Sequence, residues 1–429
     1  MAEAIHWYGA VSGIILAIIL ILKKVNPTYS LIIGAIAGAL IGGSDLAETV
    51  SVFITGAQSV MGTVIRVLAA GIFAGIMMES GAAVSIARTI VNKLGSKFAI
   101  AALVLATMII TGVGVFIPVA VLIVSPIAME VGKETGISKL ALLLAMSGGG
   151  KAGNIVSPNP NTIAAAGGFD VSLSSVMMYG FVPAVFGVLM AILLANLIKN
   201  KGPKVAESDF ESGSDDKEYP SFGKALVAPI VAIILLMLQP IAQLLNITSL
   251  ANFALDSMYV LPIAGLIGLL AMKQSKQTLS YMSIGLEKMT PTVLILIGAG
   301  AIGGVITASD LSVQVVNLIK QSGISGTLLA PIAGILMGGA TASTSTGAIL
   351  ASGSFGQAIL DMGVAPVSAA VMVHTGATVI DHLPHGTYFH VTGNAMKLSM
   401  KERMQIVGYE SLVGLTMTIV ATIVYGFIF

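Results

Sequence analysis

From residue 321 to residue 360, forty positions in all, the chain carries no Asp, Glu, Lys or Arg. As one helix this run would reach about 60 Å at about 1.5 Å per residue, twice the hydrocarbon thickness of a bilayer. It must therefore turn inside a membrane or cross it twice. Other uncharged runs recur along a chain of 429 residues that is 56% hydrophobic and 10% charged. A soluble domain does not have this pattern, and the expected fold class is an all-α polytopic membrane protein. The first run, "WYGAVSGIILAIILIL" (7–22), has no basic residue before it and is followed by Lys23 and Lys24. It lacks the basic front end of a cleaved signal peptide and reads as a retained first helix.

Composition removes several function classes. With no cysteine there is no disulfide, thiolate metal site or thiol nucleophile. A net charge of +1 offers no concentrated basic face for nucleic acid. No motif calls for a cofactor.

Charge position sets the orientation. Spans are expected at 8–22, 27–44, 56–78, 137–169, 174–198, 225–246, 257–272, 289–309, 365–396 and 405–427, with turning units at 98–130 and 326–360. That makes about ten spans plus two hairpins, in a multi-pass protein of the plasma (inner) membrane. With the amino terminus outside, eighteen of the 21 basic residues fall on the cytoplasmic side, Lys320 alone falls outside, and Arg66 and Lys151 lie within spans. The positive-inside rule then puts both termini on the extracytoplasmic face. The charged, turn-rich stretch 199–224 reads as a solvated cytoplasmic linker between a first half, 1–198, and a second, 225–429.

The halves resemble each other. Residues 71–97 lie over 300–326 with identities at Gly71/Gly300, Gly75/Gly304, Ser80/Ser309, Val84/Val313, Ile90/Ile319 and Ser96/Ser325. Each copy is followed by an uncharged unit with a polar or glycine-rich centre, then by a helix interrupted by proline, where Asn154 pairs with Asp381. In the charge-based topology the copies start on opposite faces, so they are inverted repeats, an arrangement of secondary transporters whose sites lie near the midplane.

The arms of the second unit, 326–340 and 347–360, are shorter than the approximately 20 residues of a full span, so a re-entrant hairpin with its tip at "TASTSTG" fits better. Its counterpart is 98–130, with the tip "TGVGVFIP" (111–118). Irregular backbone at that depth persists only against protein or a water-filled cavity. Tips rich in N–H and hydroxyl donors suit an anion such as a carboxylate. The expected substrate-binding residues are Thr111, Gly112, Gly114, Ser343, Thr344, Ser345 and Thr346 from the tips, with Lys151, Asn154, Ser157 and Asn159 from "SGGGKAGNIVSPNPNTI" (147–163). The plainer role of such small residues is close helix packing. In "HTGATVIDHLPHGTYFH" (374–390), Asp381, His382 and His385 are the candidates for ion coupling. Lys151 is read as the cation facing a substrate carboxylate, the alternative being a structural Lys151–Asp381 pair. Pro384 breaks the helical spacing of the histidines, so no metal site is expected.

The sequence "GAAVSIARTIVNKLG", "SPNPNTIAAAGGFDV", the linker "EYPSFGKAL" and the glycine-rich second hairpin together resemble the gluconate:proton symporter (GntP) family of the ion-transporter superfamily. The resemblance spans most of the chain. It implies symport of small hydroxy- or amino-carboxylates, generally with protons, and a homodimer in which a mobile domain moves like an elevator past a fixed scaffold. The chain departs from the family's "PPHPGPTAIA"-like stretch at Ser157–Thr162 and again at "DHLPHGTYF", which bears on the choice of carboxylate. Sodium remains open beside the proton as coupling ion, with Asp381, Asn154 and hairpin carbonyls as its ligands. An anion channel is the rival class. "GISG" (323–326) matches a G-x-S-G nucleophile motif, but it stands at the membrane edge without a placed base, so no enzyme is expected.

The charge asymmetry makes a test simple in a cysteine-free chain. A cysteine replacing Glu211 should resist an impermeant thiol reagent applied to intact cells and react after permeabilisation; labelling from outside would reverse the orientation.

Overall fold

The computed structural model describes residues 5–209, 218–245, 247, 255–311, 313, 314, 317, 321, 325–384 and 386–428. Among them the chain is helical, with two isolated bridges, Ile5 to Ser309 and Ser138 to Lys204, as the only strand-like features. Among the described residues, four helices are long and apolar enough to cross a bilayer: Met61–Glu79, Leu173–Leu197, Ser275–Thr307 and Met400–Ile428. Several other expected spans are shorter or broken, including Trp7–Leu22 and Pro27–Ile41. Large apolar side chains face outward on many of them, as with Ile15, Leu189, Ile234 and Leu270, each more than half exposed. In water this surface would drive association, and in lipid it is satisfied.

The first half opens with α1 (Trp7–Leu22), α2 (Pro27–Ile41), α3 (Leu46–Ser59) and α4 (Met61–Glu79). Asn26 and Asp45 cap α2 and α3 by accepting from Thr28 N and Glu48 N. Next come α5 (Ala82–Leu94) and α6 (Ala99–Gly112), a pair bent by 102°. They lead into α7 (Ile117–Thr135), α8 (Lys139–Asn154), α9 (Pro160–Gly168) and α10 (Leu173–Leu197). The second half contains α11 (Phe222–Ala225), α12 (Val227–Leu244), α13 (Ser257–Met272) and the long α14 (Thr278–Thr307). After it follow α15 (Leu329–Thr341), α16 (Thr344–Asp361), α17 (Pro366–Ala377), α18 (Thr387–Ala395), α19 (Met400–Met404) and α20 (Val407–Ile423). The sequence pattern does not separate α3 and α5 as helices of their own, because both carry charge that hides them in a hydropathy reading.

The two halves interlace. Helices α2, α3 and α4 pack on α14, while α9 packs on α16 and α17, α7 on α18, and α8 and α10 on α20. The chain start is fastened to the far end of α14: Ile5 N donates to Ala308 O at 3.1 Å and Trp7 N to Asp310 Oδ1 at 2.7 Å. A cavity of about 480 Å³ is lined by α3, α4 and α14 on one side and α9 and α16 on the other, with α4 touching α9 and α14 touching α16 beside it.

Backbone proximity explains the glycines at two of these crossings. A Cβ on Gly75 of α4 would lie 2.6 Å from Gly285 Cα of α14, and one on Gly149 of α8 would lie 2.9 Å from Val104 Cα of α6. With no hydrophobic gain available between helices in lipid, close contact through small residues supplies the association.

The described parts of the linker are partly docked rather than wholly solvated. Lys139, 6% exposed at the start of α8, pairs with Asp209 at 2.7 Å. The Tyr219 ring lies under the Arg88 guanidinium at 4.8 Å, and Lys93 sits 5.3 Å from the Phe222 ring, so "EYPSFGK" is held on α5.

Overpacking a core typically costs about 1–3 kcal/mol. Gly149→Val should therefore lower the melting temperature of the purified protein by several degrees, whereas Gly223→Ala, where an added Cβ meets nothing within 4 Å, should leave it unchanged. Equal stability of the two variants in a detergent melt would reject the α6–α8 contact.

Candidate functional site

Four interruptions bring helix starts to one place. After α6 the chain breaks and α7 restarts with Ile117 and Pro118; after α8, Asn159 caps α9, which begins at Pro160. Proline at a first helical turn sacrifices no hydrogen bond, since that N–H has no partner within the helix. After α15, Ala342 takes a left-handed φ of 45° and Ser343 caps α16, and after α17 the segment 378–386 leads into α18. Ile117, Asn161, Thr344 and Thr387, each at or beside the start of its helix, line a single cavity of about 620 Å³. Unpaired N–H groups and positive dipole ends at such starts favour an anion.

Behind the cavity wall lies a buried charged layer. Lys151 of α8 is fully buried and its Nζ donates to Asp381 Oδ1 and to the Thr378 carbonyl, with His382 Nδ1 at 3.1 Å. Asp381 lines the cavity and its other oxygen accepts from Thr344 Oγ1. His382 Nε2 donates to Val407 O at 2.8 Å and stands 3.9 Å from Glu410 Oε2. Glu410, also fully buried, is held by Arg403 at 2.6 and 3.0 Å and by Ser147 Oγ at 2.5 Å. Ser147 in turn meets Tyr388 OH, on the cavity wall, at 2.6 Å.

A second polar knot surrounds Asn154. Its Oδ1 accepts from Asn159 Nδ2 at 2.6 Å and Asn161 Nδ2 at 2.9 Å, and its backbone carbonyl accepts from Asn159 Nδ2 at 2.9 Å and Thr162 Oγ1 at 3.1 Å. Ser345 Oγ joins the second tip to this knot by donating to Asn161 Oδ1.

The expected residues therefore distribute unevenly. Ser343, Thr344, Ser345, Thr346 and Asp381 line the cavity. Lys151, Asn154, Asn159 and His382 form the buried layer behind it, and Ser157 is buried with no hydrogen-bond partner for its hydroxyl. Three first-tip residues are elsewhere. Thr111 donates to its own helix at Thr107 O and Met108 O, Gly112 borders a separate apolar cavity with Met177 and Phe181, and Gly114 abuts Phe73. From that tip it is Phe116, Ile117 and Pro118 that reach the cavity. His385 lies outside the described residues.

Asn161, Tyr388, Arg403 and Glu410 are additions to the set. Glu410 carried a usable signal: it is the only charged residue between Arg403 and the last position, Phe429.

Comparisons with known proteins agree with one another. Residues 6–428 match the family profile described as GntP family permease. An uncharacterized transporter of Haemophilus influenzae is 49% identical over 97% of each chain. A high-affinity gluconate transporter of Escherichia coli is 24% identical over 96% of this chain and 98% of its own. A gluconate permease of Bacillus licheniformis is 28% identical over 91% of this chain and 92% of its own. Among solved structures, the YdaH transporter of Alcanivorax borkumensis, described as having an unusual topology, superposes with a TM-score of 0.64 at 14% identity, covering 89% of this chain and 90% of that one. At that identity the likeness is one of fold.

Removing one member of a buried ion pair leaves the other uncompensated, at a cost of about 3–5 kcal/mol. Lys151→Ala should thus be strongly destabilised, and Lys151→Ala with Asp381→Ala should recover much of the loss. A double variant no more stable than the single one in thermal melts would contradict the pairing.

Proposed function

We propose that this chain, which belongs to the GntP permease family, is a secondary active transporter that carries small gluconate-like hydroxy- or amino-carboxylates across the membrane together with protons. Its relatives are permeases and transporters, gluconate carriers among them, so its role is transport and not enzymatic conversion. One observation carries the substrate class: the starts of four helices and the hydroxyls of Ser343, Thr344, Ser345 and Thr346 meet at one cavity.

In this reading the substrate carboxylate lies against the start of α16, where helix N–H groups and the Ser343 hydroxyl face the negative charge without adding a counter-ion, the hydroxyls of Thr344, Ser345 and Thr346 being donated to Asp381, Asn161 and Ser343. The hydroxyl tail meets Asn161, Thr387, Tyr388 and His390, all on the same wall. Lys151 neutralises Asp381, and Asp381 with His382 holds the coupling proton. No resident cofactor or metal takes part. Sodium in place of the proton is the competing assignment.

The helix–break–helix order repeats in both halves, at α6–α9 and at α15–α18, which supports two inverted repeats with re-entrant hairpins. The glycine-lined cavity between α3–α4–α14 and α9–α16 is consonant with an elevator in which the cavity-bearing helices move against the rest. A homodimer with both termini outside completes the reading.

Proteoliposomes with each gradient imposed separately provide the test. Wild type should accumulate gluconate or a related small carboxylate under an inward proton gradient. Asp381→Asn, which keeps oxygen and hydrogen-bonding capacity beside Lys151 and Thr344, should retain exchange and lose proton-driven accumulation. Accumulation by Asp381→Asn equal to wild type would remove Asp381 from coupling, and dependence on a sodium gradient alone would transfer the role to sodium.

A further inference from the structure

Five ionisable groups form one buried cluster fed by four separate elements. Lys151 comes from α8, Asp381 and His382 from the segment before α18, Arg403 from α19 and Glu410 from α20; all are at most 4% exposed. Their charges sum to zero when the imidazole is neutral: Lys151 and Arg403 against Asp381 and Glu410. They sum to +1 when His382 carries a second proton.

The geometry around His382 accommodates both states. Its Nε2 keeps a proton in either, donating to Val407 O at 2.8 Å. Its Nδ1 lies 3.1 Å from Lys151 Nζ and 3.0 Å from Asp381 Oδ1. A bare Nδ1 accepts from the ammonium, and a protonated Nδ1 donates to the carboxylate. Only Glu410, at 3.9 Å from Nε2, compensates the ring from the other side. The remaining facing groups do not change the sum. Tyr388 and Ser147 hydrogen-bond to each other and Ser147 to Glu410, Ser411 Oγ is 3.3 Å from Nε2, and His374 is turned toward Asn154. Lys24, on the cavity rim, is exposed to water.

We propose that Glu410 is the charge-setting residue of coupling: it holds the cluster neutral until His382 is protonated, so that the substrate anion enters only with a proton. The transferred proton is delivered by a hydronium ion of the cavity water, whose O–H bond breaks as the Nδ1–H bond of His382 forms and which is left as water, and it leaves by the reverse step once the site faces the other side. A buried layer at +1 attracts one carboxylate to the adjoining cavity, and together they return to zero. A neutral layer offers that anion no such compensation, because a net buried charge in low dielectric is costly. Proton and anion thus bind as a neutral pair in a ratio of one to one. This deepens the transport reading above and rests on it.

The test is the pH dependence of carboxylate binding to purified protein, with gluconate as probe. In wild type, affinity should fall as pH rises, approaching a tenfold loss per pH unit, the limit for one linked proton. Glu410→Gln leaves the layer at +1 without any proton, so binding should persist at alkaline pH and the slope should flatten, with accumulation lost and exchange kept. Arg403→Gln sets the layer at −1 and should bind weakly throughout. The double variant Arg403→Gln with Glu410→Gln restores the zero sum and should restore the wild-type slope, and it is the flattened slope of Glu410→Gln alone that a merely structural ion pair would not produce. A wild-type slope in Glu410→Gln, or a flat profile in the double variant, would overturn the proposal. If wild type bound no gluconate or other small hydroxy- or amino-carboxylate at any pH, the transport reading itself would fall.

Discussion

A helix that stops inside a hydrocarbon layer leaves peptide groups with no water to satisfy them, and this constraint shapes the centre of the molecule. Three of the four interruptions are closed by polar side chains, while at the first tip backbone bonds such as Gly114 N to Thr111 O serve instead. Asn159 accepts from the Asn161 and Thr162 N–H groups while its own amide donates back to Asn154 O. Ser343 accepts from Thr346 N, and Lys151 donates to the Thr378 carbonyl. The residues that line the cavity or stand behind it are therefore the same ones that make the breaks tolerable. Binding chemistry has been obtained from groups the backbone already required.

Charge compensation follows from the same economy of space. Two full-strength pairs, Lys151 with Asp381 and Arg403 with Glu410, tie α8 to the segment before α18 and α19 to α20. Such pairs are weak evidence for stability, because desolvation offsets much of the attraction. Their value here is positional: they bring carboxylates and cations from separate elements around one imidazole.

Much of this was legible in the sequence where a polar group stands alone in an apolar run. Lys151, Asp381 and the "TASTSTG" tip all carry that signal, and all meet at or behind one cavity wall. Glu410 carries it equally, in an unbroken helix rather than beside a proline. The first tip is different. Sequence locates its break but not the side on which the helix presents Thr111, whose hydroxyl is spent on its own helix carbonyls. The apolar Ile117 and Pro118, which reach the cavity instead, have nothing in their chemistry to mark them. The linker illustrates a further limit. Its composition indicates solvent, whereas Tyr219 and Phe222 are held by cations on α5 across more than a hundred residues of chain.

The fastening of Ile5 and Trp7 to Ala308 and Asp310 has a consequence in time. Those partners are synthesised 303 residues after the groups they receive. At about 5–20 residues per second, the ribosome needs roughly 15 to 60 s to deliver them. For most of that interval, once Glu79 has been made, α1 to α4 are without the long helix against which they finally seat. The growing chain must hold an unfinished, glycine-faced surface among lipids, which makes the arrival of α14 the event that completes the first half.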